Sequence, residues 1–164
     1  MRAFVAWSCL VVSLSVFGEF LATAQDWPQF LGPQRDGHYR GTGVAEKGQD
    51  GRPEEMWRRP VGEGFAGPVV VENRLLMFHR EGGLEVLDAI DTQNGNLIWR
   101  YSYETEYRDD FGFDEGPRSA PVVVDGRVFV FGAQGQLHAV ELLTGNELWH
   151  VDARMRFRVA KAFF

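Results

Sequence analysis

The phrase AIDTQNGNLIW at residues 89–99 returns fifty residues later as AVELLTGNELW at residues 139–149. A phrase spelled twice at this length confines the chain to architectures built from like units, since self-similarity at a fixed spacing marks repeat folds. The likeness extends upstream. Residues 68–99 read PVVVENRLLMFHREGGLEVLDAIDTQNGNLIW and residues 121–149 read PVVVDGRVFVFGAQGQLHAVELLTGNELW. The copies agree in register from Pro68 to Phe78 against Pro121 to Phe131, and again from alanine to tryptophan. Three extra residues near His79 to Gly83 account for the difference in length.

Turn residues cut each copy into four short β-type runs. In the second copy these are Val122–Val124, Arg127–Phe131, Gln136–Leu142 and Glu147–Val151, separated by Asp125-Gly126, GAQG and LTGN. Asp-Gly accepts the positive φ of a tight hairpin, so the runs pair antiparallel. In RVFVF, Val128 and Val130 point to one side and Phe129 and Phe131 to the other, so both faces are apolar and both require cover. A four-stranded sheet sandwiched between like sheets is a propeller blade.

The repeated phrase has a physical purpose within such a blade. Gly95 and Gly145 suit the tight turn before the last strand, Ala89 and Ala139 permit close approach between sheets, and Trp99 and Trp149 supply large rings to bury against the next unit. Trp57 precedes Pro68 much as Trp99 precedes Pro121, and reads as the closing strand of an incomplete earlier unit. The spacings of 42 and 50 residues between the three tryptophans lie within the roughly 40 to 50 residues of a propeller blade.

The pattern A-x-D-x-x-T-G-x-x-x-W resembles the tryptophan-docking motif of the pyrroloquinoline quinone (PQQ) repeat family, the quinoprotein-like β-propellers. Residues 139–149 match it with Glu141 in place of Asp, and residues 89–99 keep Asp91 but carry Asn94 in place of Thr. DWPQFLGPQRDG at 26–37 and GPRSAPVV at 116–123 resemble stretches of exported PQQ-repeat proteins of planctomycete type. The resemblance implies an all-β chain, a partial β-propeller of four-stranded antiparallel blades over residues 55–164, preceded by an N-terminal extended segment at 25–54.

The family joins quinoprotein dehydrogenases, which bind PQQ and Ca²⁺ in the central funnel, to BamB-like scaffolds without a cofactor; fold alone does not choose between them. No stretch matches the family's calcium ligands or catalytic aspartate residue by residue. The adjacent-cysteine disulfide of alcohol-oxidising members has no counterpart, because Cys9 is the one cysteine. A closed ring needs roughly 300 residues or more, so the chain reads as a truncated member with uncovered blade faces. The expectation is a binding or scaffold module whose partner is an envelope protein or the remaining blades. The alternative is the N-terminal part of a PQQ-dependent dehydrogenase, with PQQ and Ca²⁺ held mainly by other blades.

The opening MRAFVAWSCLVVSLSVFGEFLATAQ has Arg2, an apolar run from Ala3 to Phe17 and the triplet Ala22-Thr23-Ala24. That order predicts a signal peptide helix over 1–24, cut before Gln25, and export to the periplasm or the extracellular space. An uncleaved anchor is the competing reading, although the run falls short of the ~20 residues a spanning helix needs; acylation at Cys9 is a further one. The net charge of -6, with no basic cluster, excludes a nucleic-acid partner on electrostatic grounds.

Other constellations carry less. The insertion RYSYETEYRDDFGFDEGPRSA holds Glu104, Glu106, Asp109, Asp110, Asp114 and Glu115 among five aromatics. It reads either as a Ca²⁺-holding or ligand-contacting loop at the propeller mouth, or as a solvated loop with Phe111 and Phe113 tucked beneath it. Arg118 is the candidate cofactor-binding residue, placed at the entry of an inner strand where its planar fork would meet an anion, or else pair with an acid of the loop. His38, His79, His138 and His150 show no metal-ligand spacing, so no metal site is read. GTG at 41–43 and GEG at 62–64 read as turns, and Ser102 and Ser119 lack a nucleophile setting.

Overall fold

The computed structural model describes residues 25–41 and 51–158; the signal segment expected over 1–24 lies outside them. Blade I comprises β1 (Val69–Val71), β2 (Arg74–Glu81), β3 (Leu84–Asp91) and β4 (Leu97–Glu104). Blade II comprises β5 (Val122–Val124), β6 (Arg127–Phe131), β7 (Gln136–Glu141) and β8 (Glu147–Asp152). Each is an antiparallel meander in chain order. The turns form where the sequence permits a left-handed backbone: Asp125 and Gly126 have φ of 49° and 70°, the conformation of a two-residue hairpin.

Register carries the repeat into three dimensions. Ala89 pairs with Trp99 and Ala139 with Trp149, and both blades shift register immediately afterwards. The extra residue on the outer strand is a β-bulge, which turns the following side chains onto the opposite face. A short helix, α1 (Ala153–Phe157), follows β8 and is a feature the sequence reading omitted; Asp152 caps it by accepting from the Met155 amide at 2.8 Å.

The core lies between the blades. Leu76, Phe78, Leu87, Ala89 and Trp99 of blade I meet Val128, Val130, Val140 and Leu142 of blade II. All are buried, and each large side chain taken from water contributes about 1.5–3 kcal/mol. The expectation that both faces of RVFVF are covered holds for one face only. Val128 and Val130 are buried against blade I, whereas Phe131 is 42% exposed on the far face.

Residues before blade I lace the two sheets together. Trp27 bridges Val70 through paired amide bonds of 2.7 and 3.0 Å, and the next carbonyl, Pro28, accepts from the Val123 amide at 2.8 Å. This covers part of the inner edge of β1 and β5, where unpaired groups would otherwise face open space. Residues 53–61 run beside blade I without forming a strand, so the reading of Trp57 as part of a closing strand is corrected: among the described residues no neighbouring strand pairs with it. No described helix is long and apolar enough to cross a membrane.

Candidate functional site

Trp57 and Trp99 each sit on a glycine of the following blade. Trp57 donates its indole N–H to the Thr92 carbonyl at 2.8 Å and Trp99 donates to the Leu142 carbonyl at 3.0 Å. Gly95 and Gly145 adopt φ of 73° and 75°, and a Cβ on them would stand 2.8 and 2.7 Å from the Trp57 and Trp99 rings. Sequence reasoning assigned these glycines to the turn alone; they are also the floor on which the indole lies. Asp91 organises that turn by accepting from the Gln93 and Asn94 amides, and Glu141 accepts from the Thr144 hydroxyl. Trp149 has no such seat among the described residues: it is 43% exposed and packs on Phe129, its centroid 6.0 Å away.

Arg118 lies beside a recess of about 350 Å³ lined also by Phe30, Phe65 and Ser119. Its guanidinium is already engaged. It pairs with Asp109 at 3.3 Å, donates to the Gly116 and Asp114 carbonyls, and lies over the Phe65 and Tyr107 rings. Three carboxylates of the acidic insertion are likewise engaged. Asp114 accepts from the Gly64 and Gly116 amides, Asp109 accepts from the Phe113 amide, and Glu115 pairs with Arg108 and with buried Arg80. Phe111 and Phe113 are not tucked beneath the loop but stand 60% and 81% exposed, because the space beneath is filled by the Arg80 side chain and its bonds to the Tyr107 and Glu115 carbonyls.

A third cluster follows the seam between blades. Glu85 is fully buried, accepting from the Tyr103 hydroxyl at 2.6 Å and the Ala133 amide at 2.7 Å, so one carboxylate ties β3 to the turn after β6. Burial, then the charge on Glu85, raises the Tyr103 phenol and keeps it protonated. The Tyr103 ring stacks on His138 at 3.8 Å. His138 stands opposite His150 in the β7–β8 ladder. Tyr101 of blade I lies 2.7 Å from His138 Nδ1 and donates to Glu147. Hydrogen bonds from Tyr101 and His150 hold the Glu147 carboxyl down at about 2, and burial pushes the His138 imidazole below its ordinary value.

Sequence reasoning missed this seam because His138 and His150 lie twelve residues apart in the chain and meet only through strand register. The hairpin signal LTGN, used to count outward from the turn, is the signal that finds them. At the same ladder position blade I carries Asp88 opposite Arg100, joined by bonds of 2.7 and 2.8 Å.

Two tandem four-stranded blades, docked tryptophan on glycine, define a chain of β-propeller repeats. Residues 38–161 match the PQQ-repeat family described as outer membrane protein assembly factor BamB, and the chain belongs to that family. It is 30% identical over 90 residues to quinohemoprotein alcohol dehydrogenase ADH-IIG of Pseudomonas putida, covering 54% of this chain and 12% of that one. It is 31% identical over 110 residues to BamB of Shewanella oneidensis, covering 62% of this chain and 27% of the relative. Among solved structures, quinohemoprotein alcohol dehydrogenase of Comamonas testosteroni aligns at a TM-score of 0.41 and 32% identity, over 58% of this chain and 14% of that one. The chain thus spans about an eighth to a quarter of the length of these curated relatives.

Proposed function

We propose that the chain acts as an exported binding or scaffold module of the cell envelope, engaging a protein partner or further blades through the far face of blade II. The observation that carries this reading is the exposure of Phe131, Trp149 and Val151 at 42%, 43% and 36% on that face. The corresponding face of blade I, with Ala89 and Trp99, is the one that receives blade II. An aromatic-rich sheet face left open to water has the composition of a protein interface core.

The alternative, a part of a PQQ-dependent dehydrogenase, makes demands on the donor chemistry. A polyanionic quinone with Ca²⁺ needs free cationic forks and converging carboxylates. The Arg118 fork is engaged by Asp109 and two carbonyls, and Asp109, Asp114 and Glu115 of the loop each hold an amide or an arginine. These side chains do not fit the group. Titrating the purified chain with PQQ and Ca²⁺, followed by a dye-linked alcohol oxidation assay, checks this: no saturable binding and no turnover are expected. Tight binding with turnover would overturn the scaffold reading. Crosslinking to an envelope protein that is lost in Trp149→Lys would support it.

A further inference from the structure

We propose that His138, Glu147 and His150 form a binding site for a divalent transition-metal ion of the zinc class, which clamps the outer strands of blade II to blade I. The three offer one ligand atom each, all within 4.8 Å of one another. Glu147 Oε2 is 3.3 Å from His138 Nδ1, and Glu147 Oε1 is 2.8 Å from His150 Nδ1. Ligands about 2.0–2.2 Å from a tetrahedral zinc lie roughly 3.3 Å apart, so small side-chain adjustments admit the ion. Two imidazoles and one carboxylate are donors that suit zinc, copper and nickel rather than calcium or magnesium.

The bulge assembles the set. Glu147 and His150 are three positions apart and would face opposite sides of a straight strand. The register shift at Ala139/Val140 places Glu147 opposite Val140, on the side of His138 and His150. The Tyr101 hydroxyl, against both His138 Nδ1 and Glu147, places a fourth oxygen beside the cluster from blade I. Among the described residues, His138 Nε2 is buried with no hydrogen-bond partner, which leaves Nδ1 as the working nitrogen of that ring. The approach is open, since the His150 and Glu147 side chains are 57% and 35% exposed. Blade I shows what the same position holds without a metal. There Asp88 and Arg100 neutralise each other and Leu97 occupies the place of Glu147.

The test is zinc titration of the full chain, stripped with EDTA, in competition with a chromogenic chelator. One equivalent of Zn²⁺ is expected at micromolar affinity or tighter. His150→Ala and Glu147→Gln should each weaken it at least tenfold, while His38→Ala leaves it unchanged. Both seam variants alter partly exposed side chains, and circular dichroism without metal checks that they fold. Zinc should raise the thermal midpoint of the parent chain and not that of His150→Ala. The site is refuted if zinc is not taken up stoichiometrically, if both seam variants bind it as well as the parent, or if Ca²⁺ competes with it equally.

Discussion

Gly145 has two separate reasons to lack a side chain, and they can be measured apart. Its φ of 75° costs an L-residue about 1–2 kcal/mol, and its missing Cβ makes room for the Trp99 ring. Gly126 has a similar φ of 70° but open space where a Cβ would stand. Gly145→Ala should therefore destabilise by about 2–4 kcal/mol and shift indole emission to the red, while Gly126→Ala costs only about 1 kcal/mol with emission unchanged. Urea unfolding followed by fluorescence reads both. Equal losses in the two variants would show that the indole does not depend on that seat.

Asp88 makes a pH prediction with a definite sign. Burial alone would raise its carboxyl, but hydrogen bonds from Arg100 and His79 outweigh that and leave it at about 2, against 3.8 when free. A carboxyl lowered in the folded state stabilises fully above its unfolded value, and that contribution is lost as pH falls toward the folded one; here it amounts to about 2 kcal/mol. The parent chain should thus lose this increment between pH 4 and pH 2. Asp88→Asn, which removes the buried carboxylate from Arg100 and His79 and leaves Arg100 its pairing with Glu81, should be less stable at pH 7 and show a shallower acid limb. Denaturant midpoints across that range measure it, and parallel limbs would assign the acid sensitivity elsewhere.

At the scale of elements, strands were legible because the chemistry that sets them is local. Alternation of valine and phenylalanine and the Asp125-Gly126 hairpin place β5 and β6 at the residues expected, while β7 and β8 end within one residue of expectation. The two bulges were not legible, since no single residue announces which ladder rung slips. The course of residues 53–61 was misread for a related reason: Trp57 signals docking, but strand formation needs a paired neighbour. Protection should follow pairing and cover. Amides of β3, which is paired on both sides and buried along most of its length, should exchange at least about a hundredfold more slowly than those of β8. Native-state hydrogen exchange decides this, and uniform protection would indicate that β8 is covered in solution.

For the whole molecule, the exposure of Phe131, Trp149 and Val151 on the far face of blade II sets an expectation for behaviour in solution. Apolar sheet faces of this kind associate when nothing covers them. Sedimentation velocity should show concentration-dependent self-association that falls when Phe131→Lys and Val151→Lys are combined, with the β-sheet circular dichroism unchanged. Concentration-independent monomers in the parent chain would remove the basis for a docking role of that face.

The sequence by itself determined the repeat, the four-strand unit and the positions of the docking tryptophans, because hydrophobic period and turn chemistry act over a few residues. The partners of each side chain were decided only by tertiary structure. Arg118 is engaged by Asp109, Gly145 bears Trp99, and His138 meets Glu147, His150 and Tyr101. These meetings depend on strand register and on how one sheet lies against the next. Both are set by the packing of whole faces, and a shift of one residue in a strand would exchange every neighbour without altering the local pattern.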